Sequence, residues 1–143
     1  MAKKIRVTLR YVEILDSKDL DGQGEFVFEF TGTVPERGEE QTLRIPDAGH
    51  LAISDHPSMR KVTLNKVIFE GEVEDGETLI LAGKGTELDQ ISAHDELTGY
   101  RREFIGDVAG WIGEYTPWDE GSADTTDPEQ LGDWRIAYRI EEV

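Results

Sequence analysis

A short acidic segment between Asp19 and Glu25 is the first part of the sequence whose residue types could do chemistry. Asp19, Asp21 and Glu25 supply carboxylate oxygens, and the two glycines between them permit a tight bend. Hard cations such as calcium are bound by roughly 6–8 oxygen ligands of this kind. The segment therefore predicts part of a calcium site, and the alternative interpretation is a polar turn that joins two strands.

The spacing of this segment does not fit an EF-hand calcium loop. If Asp19 is the first residue of such a loop, Phe30 occupies the twelfth position, where the motif carries a bidentate glutamate. The alternation of phenylalanines after Glu25 predicts a strand, whereas an EF-hand requires a helix. Further calcium ligands must therefore come from elsewhere in the chain.

The sequence contains no residues with the spacing of a catalytic centre. The three histidines, His50, His56 and His94, lack the spacing of a zinc site. The neighbours Ser54, Asp55 and His56 cannot converge as nucleophile, orienting group and base, because they are adjacent in the chain. We therefore expect a protein that is not an enzyme.

The charge of the chain excludes several kinds of partner. Its 143 residues include 31 acidic and 15 basic ones, and the formal net charge of −16 repels phosphate backbones. We expect no nucleic-acid partner, and an anionic membrane only through calcium, because the lysines are scattered rather than clustered. Since the sequence has neither a signal-peptide pattern nor an apolar stretch of membrane-spanning length, we expect a cytoplasmic protein. Such acidity is also typical of proteins from high-salt habitats, and in that interpretation individual carboxylates have no specific role.

Alternating apolar residues predict an all-β fold. In Ile5–Tyr11, Phe26–Phe30 and Trp134–Ile140 the apolar side chains recur at every second position, which places them on one face of a strand. Shorter strands are predicted at Thr42–Ile45, Leu51–Ser54, Lys61–Phe69, Glu77–Ala82 and Phe104–Ile112. Eight strands in a single domain of residues 1–143 favour an antiparallel β-sandwich, with a closed barrel as the second choice. Gly83–Glu103 and Thr116–Gly132 are predicted to be loops.

Two stretches of the sequence resemble the C2-type, calcium-dependent phospholipid-binding domain. In the first, the strand Ile5–Leu9 is followed by Ile14–Phe28, which combines an acidic loop with an aromatic strand. In the second, Thr78–Leu81 and an acidic loop lead into Glu103–Val108, which contains the sequence Phe-Ile-Gly. The resemblance implies an eight-stranded antiparallel β-sandwich whose calcium sites lie in loops at one end.

The resemblance also implies which residues bind calcium. Asp19 or Asp21 matches an aspartate of the family's first loop, and Glu25 stands where the family has a second aspartate. Glu87 and Asp89 lie near the aspartate pair of its third loop, where the glutamate again replaces an aspartate and moves the carboxylate outward. With Asp95 as a further candidate, the predicted ligands are Asp19, Asp21, Glu25, Glu87, Asp89 and Asp95.

The sequence thus predicts a C2-like binding or assembly module with a calcium site in its acidic loops and a protein as its partner. The alternative is a carbohydrate-binding β-sandwich that stacks a sugar on Trp118. Only Trp118 is available for that role, because Trp111 and Trp134 are expected in the core.

Overall fold

The fold consists almost entirely of β-strands. The structure, a computed structural model, describes residues 2–14, 23–54, 61–88, 95–96, 99–116 and 134–143. These residues form the strands β1 (Lys3–Ile14), β2 (Gln23–Val34), β3 (Glu39–Ile45), β4 (Leu51–Ser54), β5 (Lys61–Val73), β6 (Leu79–Leu88), β7 (Asp95–Glu96), β8 (Tyr100–Phe104), β9 (Gly113–Tyr115) and β10 (Trp134–Glu142). Two 3₁₀ helices, Pro35–Arg37 and Val108–Trp111, are the only helical elements in these ranges. Neither they nor any other described element is a helix that could cross a membrane.

The strands form two antiparallel sheets that pack face to face, so the predicted β-sandwich is confirmed. The first sheet has the strand order β5-β1-β10-β9. In the second sheet, β3 and β4 pair with the same edge of β2, and β7 and β8 pair with the far edge of β6. The ten strands therefore occupy eight rows, four in each sheet, because two of the rows are divided between two strands.

The core lies between the sheets and is built from the alternating apolar residues. Fully buried side chains include Ile5, Val7, Leu9, Phe26, Phe28, Phe30, Trp134, Ile136, Tyr138 and Ile140. The ring centres of Phe28 and Trp134 are 5.5 Å apart, which joins the two sheets through an aromatic contact. Burial of each large apolar side chain stabilises the fold by about 1.5–3 kcal/mol. Trp111 is also buried, as predicted.

A β-bulge in β1 corrects one prediction about the core. The pairing of β1 with β10 shifts register between Leu9 and Tyr11. An extra residue reverses the faces on which the following side chains lie. Val12 and Ile14 therefore join the core cluster, whereas Tyr11 pairs with Ala137 on the outer face of the first sheet.

Side-chain hydrogen bonds join the two sheets on both sides of the sandwich. On one side, the amide of Gln41 on β3 donates to the backbone carbonyl of Glu70 on β5 (2.9 Å) and accepts from its N–H (3.0 Å). This amide satisfies two backbone groups of an edge strand. On the other side, the hydroxyls of Tyr100 on β8 and Tyr138 on β10 are 2.6 Å apart. Burial raises the pKa of Tyr138 well above its ordinary value.

The predicted loop Gly83–Glu103 is largely wrong. β6 continues through Gly83 to Leu88, and β7 and most of β8 lie within the predicted loop. The inner-face positions Gly83 and Gly85 carry no apolar side chain, so the alternation that would reveal a strand is missing. The predicted loop Thr116–Gly132 lies outside the described residues except for Thr116.

The predicted strand Phe104–Ile112 is also wrong. β8 ends at Phe104, and a 3₁₀ helix and β9 follow it. Gly106 adopts a positive φ of 94°, a conformation that favours glycine and turns the chain. The carboxylate of Asp75 then accepts the N–H of Val108 at 2.9 Å, which fixes the start of the helix.

Candidate functional site

Six strand ends lie together at one end of the sandwich. In the first sheet, Ile14 pairs with Trp134 and Glu13 with Lys61, which brings the last residues of β1 beside the first residues of β10 and β5. In the second sheet, β2 begins beside the last residues of β4 and β6. We call this the acidic end, because the segments 15–22, 55–60, 89–98 and 117–133, which connect to these strand ends, contain 13 acidic and two basic residues. They account for −11 of the net charge of −16.

Three of the predicted calcium ligands occupy neighbouring backbone positions at the acidic end. Glu87 on β6 lies opposite Asp95 on β7, and on its other side it lies opposite Phe26 on β2. Glu25 is the residue next to Phe26. Since paired strands are about 4.8 Å apart, the backbones of these three residues lie close together, with Glu25 one residue out of register with Glu87.

For Glu87 and Asp95 the structure describes the backbone only, whereas for Glu25 it also describes the side chain. The Glu25 side chain is half exposed, and its carboxylate lies 3.6 Å from Nε2 of His50. His50 is exposed, whereas His56 and His94 lie outside the described residues. Glu25 is therefore accessible to a cation from solvent.

The other predicted ligands, Asp19, Asp21 and Asp89, lie outside the described residues, as does Trp118. In the described part of the chain, no three histidine, aspartate or glutamate side chains form a group that could hold a metal ion. The calcium site stays a prediction. Its donor set consists of carboxylate oxygens, which is the chemistry that calcium requires.

A buried ion pair also lies at the acidic end, on the outer face of the first sheet. Nε of Arg135 donates to the carboxylate of Glu13 at 2.7 Å, and the two side chains are 11% and 7% exposed. Lys61 lies opposite Glu13 on the other neighbouring strand, and its ammonium group is 4.3 Å from the centre of the Tyr11 ring. Cations on both sides of Glu13 offset part of the free-energy cost of burying its charge.

The sequence does not predict this pair. The bulge after Leu9 turns Glu13 to the outer face, and no pattern in the sequence marks a bulge. The one signal is a charged residue within the otherwise apolar run Tyr11–Ile14, all of which is buried.

No protein-family model and no curated protein matches the sequence, so the function is inferred from the geometry of the chain itself.

Proposed function

We propose that the chain is a non-enzymatic, C2-like binding or assembly module that binds calcium at its acidic end. The observation that carries this proposal is the pairing of β2, β6 and β7, which puts Glu25, Glu87 and Asp95 at neighbouring backbone positions. Asp19, Asp21 and Asp89 belong to segments connected to strand ends at the same end of the sandwich. Bound calcium would join these segments, since closely spaced carboxylates repel one another without a cation.

The proposed partner is a protein in the cytoplasm. A membrane is a less suitable partner because, among the described residues, the exposed large apolar side chains at strand ends, Ile105, Ile112 and Val143, lie at the end opposite the acidic end. Calcium bound at the acidic end would not bring these side chains to a bilayer. An anionic membrane would therefore be contacted only through the calcium ion itself.

Thermal unfolding with calcium, magnesium or a chelator, at one fixed ionic strength, tests the calcium site. A ligand that binds only the folded state, at 100 times its Kd, stabilises that state by about 2.7 kcal/mol. For a chain of this length we expect calcium to raise the Tm by roughly 5–15 °C, and magnesium to raise it much less. Equal Tm values in calcium and chelator would contradict the proposal.

A pair of variants localises the effect. Glu25→Gln removes one proposed ligand and is expected to reduce the calcium-dependent rise in Tm. Glu40→Gln is the matched control, because Glu40 is an exposed glutamate on β3 opposite Thr33, close to the other end of the sandwich. If both variants keep the full rise in Tm, calcium binds away from Glu25. Sedimentation with phosphatidylserine vesicles in calcium separates a membrane partner from a protein partner.

A further inference from the structure

The outer face of the second sheet carries a row of three charged residues on neighbouring strands: Arg44 on β3, Glu29 on β2 and Lys84 on β6. Glu29 lies directly opposite both cations. Its carboxylate is 3.0 Å from Nζ of Lys84. No carboxylate of the described residues lies within 4.0 Å of the Arg44 guanidinium. Arg44 thus has no ion-pair partner among the described residues, in a chain with 31 acidic residues.

Backbone carbonyls hold the Arg44 side chain in place. Its Nη1 and Nη2 groups donate to the carbonyl oxygens of Pro46 and Gly49, in the turn that follows β3. The residue is half-buried. These bonds fix the orientation of the guanidinium without cancelling its charge, and they leave other N–H donors of the group for a ligand. A fixed guanidinium of this kind suits a carboxylate, which it can bind through two parallel hydrogen bonds.

Beside this row, the sheet surface forms two adjoining depressions of about 320 and 360 Å³. Glu29 and Lys84 line both of them, so we treat them as one feature, the sheet groove. Short side chains, among them Thr31, Thr42 and Ala82, make its floor. Arg44 and Thr86 line its other half. The groove therefore offers hydroxyl, carboxylate, ammonium and guanidinium groups on one open surface.

We propose that the sheet groove binds a uronic acid unit of an acidic oligosaccharide. Arg44 binds the carboxylate of the sugar. The hydroxyls of Thr31 and Thr42 and the Glu29–Lys84 pair hydrogen-bond the sugar hydroxyls, each of which can both donate and accept. Because the groove is open along the strands and is not a closed pocket, it suits one unit of a chain better than an isolated small molecule.

An acidic peptide fits the sheet groove less well. The backbone of β2 pairs with β3 on one side and β6 on the other, so it cannot also pair with an added peptide strand. The repulsion of an anion by the acidic end is weak here. Glu29 is four residues, about 13 Å, along β2 from Glu25, and charges are screened beyond roughly 8 Å in physiological salt.

Titration of the isotope-labelled protein with trigalacturonate, followed by NMR, tests the proposal. A calcium chelator is present throughout, so the result does not depend on the calcium site. We expect the amide signals of Thr31, Ala82 and Lys84 to shift. Neutral maltotriose lacks the carboxylate, and glutarate lacks the hydroxyls. Each should need a roughly tenfold higher concentration to cause the same shifts. Absence of shifts, or equal shifts with maltotriose or an oligoglutamate peptide, would overturn the proposal.

Three variants assign the binding to the groove. Arg44→Gln is expected to weaken trigalacturonate binding roughly tenfold or more, because a charge-assisted pair is lost. Lys66→Gln is the matched control, since Lys66 is an exposed cation on β5 of the other sheet that also has no described carboxylate within 4.0 Å. Thr31→Val removes a hydroxyl while preserving shape, and it is expected to weaken binding severalfold even if Arg44→Gln disturbs the turn after β3. If Arg44→Gln and Lys66→Gln bind trigalacturonate equally well, or if Thr31→Val binds it as well as the unmodified chain does, the sugar does not bind in the sheet groove.

Discussion

Replacement of Gly83 by alanine tests how closely the aromatic core packs on β6. A Cβ atom at this position would lie 2.7 and 2.8 Å from two ring carbons of Phe30, whereas carbon atoms in contact are normally about 3.5–4.0 Å apart. The ring would have to move by roughly 0.8 Å. Phe30 is only 1% exposed, and its ring centre lies 6.0 Å from that of Trp134 and 6.5 Å from that of Phe28, so these rings would have to move as well. Overpacking of this kind costs about 1–3 kcal/mol.

Urea denaturation and thermal unfolding of Gly83→Ala measure this loss, which we expect to lower the Tm by roughly 3–12 °C. Gly99→Ala is the matched control, because a Cβ there meets nothing within 4 Å and φ is not positive. The control should change the free energy of unfolding by less than about 0.5 kcal/mol. In Gly83→Ala/Phe30→Leu the smaller side chain makes room, so the double variant should lose less stability than the sum of the single variants. If Gly83→Ala is as stable as Gly99→Ala, the Phe30 ring does not pack closely on Gly83.

Two ion pairs lead to further predictions. Glu13→Gln takes a carboxylate away from the buried Arg135 and should lower the free energy of unfolding by about 3 kcal/mol, whereas Glu114→Gln, at an exposed pair, should lower it by less than about 1 kcal/mol. Urea denaturation compares them, and equal losses would count against the buried pair. The hydrogen bond from Arg37 lowers the pKa of Glu77 below its ordinary value of 4.5, so this carboxylate stabilises the fold above about pH 4.5 and does so less as the pH falls through the lowered pKa. The difference in Tm between the unmodified chain and Glu77→Gln should therefore shrink in acid, and a difference independent of pH would contradict this reasoning.

The strands that the sequence predicts well are those whose inner face is filled by their own side chains. Phe26, Phe28 and Phe30 occupy every second position of β2, so the pattern itself reports the burial. On β6 the equivalent inner positions include Gly83 and Gly85, and the space beside Gly83 is filled by the Phe30 ring. No local pattern can reveal a strand whose inner face is covered by its neighbour.

The charged residues were harder to predict because their surroundings depend on cross-strand register. The sequence predicts Glu25, Glu87 and Asp95 as ligands of one site, and the strand pairing puts these three at neighbouring backbone positions. Nothing in the sequence indicates that Arg44 lies opposite Glu29, or that the Glu29 carboxylate pairs with Lys84 instead. That row exists only once three separate strands have been aligned.

The distribution of charge bears on whether the acidity belongs to a specific cation site or to the surface in general. A chain that is acidic only to remain hydrated in high salt would carry its excess carboxylates evenly over the surface. Here, four segments connected to one end of the sandwich hold −11 of the net charge of −16. Among the described residues, several carboxylates are paired with a cation, as Glu70 is with Arg6 and Glu114 with Arg139. Monovalent salt screens all of these charges alike, whereas a cation held by several carboxylates relieves repulsion only where they are unpaired and close together. At matched ionic strength, calcium should therefore stabilise the chain more than sodium does, and equal stabilisation would favour general acidity.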